Sequence, residues 1–338
     1  MTQNFFKKDW NLIRDVSKIS IAGSLITGAI LENPKVLALR DEKFDLVITE
    51  AWFFQEALLG FAHHYGCPSM AVNPFGYTHH LNYYTGGSAN FAYVPNIFAD
   101  AVMPDTFWER TKTTLVTTIW MLYYHFVYYP KVEAQLHKAF PNAPPLRELV
   151  NNMTLTLINN NNALMTAVPL APSVIEVGGL HIKPGKPLPA DLKSWIEESK
   201  DGIVYFSMGS NLRADSLPEE KLKAIFESFA KLKQRVLVKW NSETPLNAPV
   251  NCRFEKWIPQ QEVLAHPNLR VFATHGGLLS TQEAVYYGAA IIGMPVFGDQ
   301  FSNTNLAEAL GFGIRVSIFD LTTDKLDAAL HEVINNPK

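Results

Sequence analysis

The sequence predicts an α/β protein built on parallel sheet and divided into two domains, and three observations carry that reading. Short β-branched runs alternate with segments of 3.6-residue period after residue 200, the pattern of βαβ units. The length of 338 residues, 47% of them hydrophobic, suits two domains of about 100–200 residues each. Between the halves, HIKPGKPLPADL (181–192) carries three prolines and a glycine and reads as a connection. The expected division is an N-terminal domain over 1–183, a linker over 184–192 and a C-terminal domain over 193–338.

Taken in order, the first half is aromatic-rich and irregular. MTQNFFKKDWNLIRD sets Lys7, Lys8, Asp9, Arg14 and Asp15 where a signal peptide needs an unbroken apolar core, so no secretory signal is expected in it. FDLVITEA (44–51) is one clear strand and FFQEALLGFAHHYG (53–66) a helix. Residues 113–130, TTLVTTIWMLYYHFVYYP, are uncharged but hold four Thr, four Tyr and His125. A spanning helix needs roughly 20 strongly apolar residues, so a core or interfacial helix is expected here.

The second half is regular. GIVYFSMG (202–209), RVLVKW (235–240), FEKWIP (254–259), RVFAT and AAIIGMPVF (289–297) read as strands. PEEKLKAIFESFAKLK (218–233), QQEVLAH, STQEAVYYG, NTNLAEALGFG and TDKLDAALHEVINN read as the helices between and after them. With 29 Lys+Arg against 32 Asp+Glu, the chain offers no broad electrostatic attraction for nucleic acid. Cys67 and Cys252 lie far apart and fit neither a disulfide scaffold nor a CxxC site.

The chemistry concentrates in residues 254–300. RVFAT runs into His275-Gly276-Gly277 and then a helix. Two glycines let backbone approach a ligand, and a helix N-terminus favours an anion. Ser280 can cap that helix or donate to a phosphate, and Glu283, one turn on, can accept from a pair of ligand hydroxyls such as those of a ribose. Asp299 and Gln300 follow a strand at the carboxyl end, where open α/β sheets bind ligands. Trp257 offers a face for a base, with Gln260 near its edge. Singly, each has a plainer reading: His275 as a turn residue, Glu283 as a solvated charge, Trp257 as core, Asp299 as a helix cap. All of them in order, on the strand ends of one sheet, point to a nucleotide.

The motifs WIPQ (257–260), THGG (274–277), QEA (282–284) and GDQ (298–300) resemble the signature of the UDP-glycosyltransferase family, which conjugates small lipophilic molecules with sugar. The likeness extends to FSMGS (206–210), VGGLHIKPGKPLP (177–189), FDLVITEA and GCPSMAVNPFGYT, and HGGLLS is similar to the insect-type members. The resemblance implies a GT-B fold, two Rossmann-like domains facing a cleft. The donor UDP-sugar would lie on the C-terminal domain and a small lipophilic acceptor on the N-terminal one. Carried over by motif, Trp257 would stack on uracil with Gln260 beside it. His275, Gly277, Ser280, Gly209 and Ser210 would meet the diphosphate, Glu283 the ribose, and Asp299 and Gln300 the sugar. The family needs no cofactor or metal. It also implies inversion at the sugar, an endoplasmic-reticulum membrane on its lumenal side, and a possible homo-oligomer. The sequon Asn152-Met153-Thr154 agrees with that location.

Two departures shape the expectation. Members that use glucuronate carry an Arg where this chain has Asn159, and a neutral amide cannot pair bidentately with a carboxylate, so an uncharged hexose, glucose first, is favoured. The family's acceptor base is a His early in the N-terminal domain, oriented by a carboxylate that matches Glu50. The His itself falls in a segment this chain lacks, and His63, His64, His79 and His80 do not stand in its motif. The chain is therefore expected to be truncated at both ends. The alternative is an impaired nucleotide-sugar binder, or a modulator of a full-length relative. A nicotinamide dehydrogenase is disfavoured because no G-x-G-x-x-G follows any strand.

Overall fold

A computed structural model describes residues 12–50, 55–88, 90–96, 104–165, 167–210 and 212–336. These form two compact units, one up to Gly178 and the other from Gly179 onward.

The first unit holds four parallel strands in the order of the chain: β1 (Val47–Thr49), β2 (Ser69–Asn73), β3 (Leu155–Ile158) and β4 (Val174–Glu176). Only β1 was legible in sequence. The others are three to five residues long, too short to show a period. The expected helix over 53–66 forms as Gln55–Leu58, tightly wound, followed by Leu59–Tyr65, and ends on Gly66 in the left-handed region (φ +63°). His79 and His80 open the helix His79–Thr85.

The uncharged run 113–130 is not one helix. Phe107–Tyr123 starts on a capping box between Thr106 and Glu109, Tyr124–Tyr128 forms a wide π turn, and Tyr129–Ala139 carries Pro130 in its first turn. Of the core or interfacial helix expected, the two parts differ: before the π turn Thr113 and Thr117 are buried while Leu115, Ile119 and Leu122 are exposed, and from it onward Tyr124, Tyr128 and Tyr129 enter the core. Among the described residues, no helix is long and apolar enough to cross a membrane.

The π turn stacks Tyr124 on Tyr128 (ring centroids 4.2 Å apart) and aims both hydroxyls at Glu56. Tyr84 donates to the same carboxylate (3.0 Å) and also bonds Tyr124. Glu56 is fully buried, and burial raises its pKa from about 4.5 against the pull of the phenols. A raised folded pKa means the fold favours the protonated acid. That contribution is present below the unfolded pKa and is lost as pH rises through the folded one. Glu56→Gln should therefore melt above the parent at pH 8, with the gap closing towards pH 4. Parallel melting curves at both values contradict this account.

The second unit is a six-stranded parallel sheet: β5 (Ile203–Ser207), β6 (Arg235–Lys239), β7 (Cys252–Glu255), β8 (Leu269–Thr274), β9 (Ile291–Gly293) and β10 (Gly313–Arg315), in the order β7-β6-β5-β8-β9-β10. Renumbered from β5, this is the 3-2-1-4-5-6 order of the doubly wound dinucleotide fold. β5 is buried on both faces, as a central parallel strand must be. Val204 and Phe206 enter one core, with Phe229, Leu326 and Leu330 of the helices Glu219–Ala230 and Thr323–Asn335. Ile203 and Tyr205 enter the other, with Ile196, Val263 and Ala284. Two strands differ from expectation. FEKWIP is strand only to Glu255, and AAIIGMPVF only over Ile291–Gly293, shortly before Pro295, which has no N–H for a ladder. β10 was not anticipated. Residues 179–192 lie with this second unit, and from Ala190 they are helix.

Candidate functional site

In this strand order the chain crosses from β5 to β6 on one side and β8 lies on the other, so the loops after β5 and β8 part at the switch point, where such sheets bind ligands. The loop after β5 is Met208-Gly209-Ser210, and that after β8 is His275-Gly276-Gly277. They meet closely. Gly209 (φ +84°) lies against the His275 ring, and a Cβ there would come within 2.5 Å of His275 Cε1. Its own N–H is held by Ser207 Oγ (3.2 Å), so Gly209 serves by its left-handed turn and close fit to His275 rather than as a donor.

Gly277 is the N-cap of the helix Leu278–Tyr286, with no side chain capping it. Ser280 is thus not a cap. It lies inside the first turn, with its hydroxyl accepting from Gln260 Nε2 (3.0 Å). Asn303 Nδ2 (2.8 Å) donates to Asp299, whose pKa burial nonetheless raises. Gln300 is buried and turned inward, its Oε1 accepting from the N–H of Val296 (2.9 Å) and Phe297 (3.2 Å). It braces the loop after β9. One further close fit holds this corner: the Thr304 methyl stands 2.3 Å from where a Cβ would sit at both Gly276 and Gly293.

Glu283 is buried, with Oε2 accepting from Gln260 (2.6 Å) and Oε1 from Gln261 (2.9 Å), and its pKa lies below the ordinary value. Burial, the largest influence, opposes that depression; the nearby His181 ring and the hydrogen bonds from Gln260 and Gln261 outweigh it. Tyr205, stacked on Phe272, donates to Gln260 Oε1 (3.1 Å), so the glutamine is fixed from the sheet below. Trp257 is 77% exposed on its loop, which rules out the core reading.

Sequence reasoning passed over Lys239, the last residue of β6. Its Nζ stands 5.4 Å from the Trp257 ring centroid and 3.5 Å from Ser210 Oγ. Burial lowers its pKa. Burial, with this neighbouring charge second, also pushes His275 down to about 4, so His275 is neutral at pH 7 and Lys239 supplies the positive charge at the rim. The signal was present: a lysine closing an apolar buried strand at its ligand-binding end. Among the described residues, no cluster of three or more His, Cys, Asp or Glu is placed to hold a metal ion.

In the first unit, Glu50 follows β1 and accepts from Gln55 Nε2 (2.9 Å). Burial, with Glu56 second among the raising causes, lifts its pKa against that bond. His79 and His80 are buried and pushed by that burial to about 4 and about 3, while Asn159 donates to the Pro74 carbonyl (3.0 Å).

The profile of the UDP-glucoronosyl and UDP-glucosyl transferase family matches residues 1–338. This chain belongs to that family. It is 37% identical over 299 residues to UDP-glycosyltransferase UGT5 of Dactylopius coccus, covering 88% of this chain and 56% of the relative. It is 33% identical over 318 residues to human UDP-glucuronosyltransferase 2B7, covering 91% and 58%. The chain thus spans less than three-fifths of either relative's length. Among solved structures, the calicheamicin glycosyltransferase CalG4 superposes with a TM-score of 0.63 at 18% identity, over 97% of this chain and 76% of that one. A UDP-glucose:anthocyanidin 3-O-glucosyltransferase solved with UDP gives 0.59 at 15%, over 90% and 69%. The fold is GT-B, with two Rossmann-like α/β units.

Two substitutions test whether this sheet edge takes a nucleotide. Gly209→Ala forces a side chain into the left-handed region, costing about 1–2 kcal/mol, and drives its methyl into His275. Calorimetry with UDP should show binding abolished in a chain that still melts cooperatively. Trp257→Ala should leave the melting temperature unchanged, since the ring is exposed, yet weaken UDP by roughly 5- to 150-fold, the worth of about 1–3 kcal/mol of base stacking.

Proposed function

We propose that this protein moves a hexose, glucose first, from a UDP-sugar to a hydroxyl of a small lipophilic acceptor, with inversion and without a metal. The observation that carries the donor half is the convergence of Trp257, Lys239, Ser280, Glu283 and the Leu278–Tyr286 helix N-terminus on the carboxyl edge of one sheet. Uracil would displace Lys239 from the Trp257 face, and the freed ammonium would meet the diphosphate. As the bond from the sugar to the diphosphate breaks, negative charge grows on the leaving oxygen. Lys239, the helix N-terminus and the hydroxyls of Ser210 and Ser280 would stabilise it there. Asp299 would accept from sugar hydroxyls.

Acceptor activation, by this reading, has Glu50 as the carboxylate partner of a histidine base. Lumenal membrane location, a detoxifying role and self-association are proposed from the family alone. The neutral Asn159 supports glucose over glucuronate. In competition against labelled UDP, UDP-glucose should displace more strongly than UDP-glucuronate, and Asn159→Arg should narrow or reverse the order. The opposite order in the parent chain would discard the glucose assignment while leaving the nucleotide site intact.

A further inference from the structure

The stretch whose sequence reads as a linker is bonded into the donor side of the second unit. It begins at Gly179 (φ +87°), where Ile182 N–H closes a turn on the Gly179 carbonyl (2.9 Å). It then crosses the helices Gln260–Leu264 and Leu278–Tyr286. Lys183 N–H donates to Gln261 Oε1 (3.0 Å), Lys186 N–H donates to Glu262 Oε1 (3.2 Å), and the Tyr287 hydroxyl donates to the Lys183 carbonyl (3.0 Å). Gln261 is therefore used at both ends, its oxygen on this strap and its Nε2 on Glu283. His181, on the strap itself, sets its buried Nε2 3.5 Å from Glu283 Oε1, and that nitrogen has no hydrogen bond of its own.

A carboxylate recognises a vicinal diol only when its plane faces both hydroxyls, and a glutamate left to itself turns about three bonds. Here one lone pair of each Glu283 oxygen is taken, Oε2 by Gln260 and Oε1 by Gln261, which fixes the plane and leaves the others for a ligand. We infer that Gln261 and His181 are positioning residues for Glu283, and that the strap, through His181 and its bond to Gln261, makes the site selective for a ribonucleotide over its 2′-deoxy counterpart. The inference rests on the reading of Glu283 as the ribose acceptor. His181 Nε2, buried beside Oε1, is placed to take the far side of a ribose hydroxyl that Glu283 accepts from.

The test is calorimetric titration of the whole chain with UDP and with 2′-deoxy-UDP. The parent should favour UDP by roughly tenfold or more, the worth of a hydrogen bond to a charged group. Gln261→Leu and His181→Phe should each shrink the preference below about threefold by weakening UDP alone, at unchanged melting temperature, and His181→Gln, which restores a donor, should recover it. Two results overturn the inference: a parent-like ratio in both strap variants, or equal weakening of both nucleotides, which marks a merely structural role. Glu283→Ala separates the layers. If the preference survives it, the ribose reading falls and the strap inference with it. If the preference is lost there but kept in the strap variants, only the strap inference falls.

Discussion

Strand β5 is the constraint from which the second unit is built. Buried on both faces and paired in parallel on both edges, it can accept only side chains that fill two cores at once, and Ile-Val-Tyr-Phe supplies them. Because its neighbours are β6 and β8, the chain leaving it and the chain leaving β8 pass to opposite faces of the sheet, and their first loop residues, Gly209 and His275, meet at its carboxyl edge. Everything assigned to the nucleotide sits on that rim. Even Tyr205, a core residue by packing, reaches the rim through its hydroxyl on Gln260.

The electrostatics of the rim follow from that placement. Burial keeps His275 neutral, so the ring contributes shape and a hydrogen bond but no charge. The positive charge belongs to Lys239 and to the helix N-terminus, the negative charges to Glu283 and Asp299. The two carboxylates are shifted in opposite directions. Glu283 is held ionised by amide donors on both oxygens, while burial dominates at Asp299. Two acids on one sheet edge are thereby set to different tasks by their neighbours alone.

Much of this was legible in sequence, and the divisions between legible and hidden are physical. The second unit could be read because its buried parallel strands are apolar runs long enough to stand out, and because GG, Ser280 and Glu283 keep helical spacing from one another. Trp257 could be located but not its surroundings, since what lies over its face comes from β6, some eighteen residues away in the chain. Of the two roles open to Ser280, cap or donor, the cap falls away because Gly277 takes that place. In the first unit, strands of three to five residues carry no period, and the helix Phe107–Tyr123 turns Leu115, Ile119 and Leu122 outward, which hydropathy alone cannot show. The cluster on Glu56 escaped because its tyrosines meet only through a π turn.

The Thr304 methyl fills the space that two glycines, Gly276 and Gly293, leave open on different strands' ends, while its hydroxyl closes on the Gln300 carbonyl (2.9 Å). For evolutionary drift this is a lock with three tumblers. A side chain at either glycine meets the methyl at 2.3 Å, and a smaller residue at 304 leaves a void behind both. Single-step variants at any of the three are penalised, whereas the combinations that relieve the crowding require two changes at once. The three positions are thus coupled through one methyl group, and each restricts what the other two can hold.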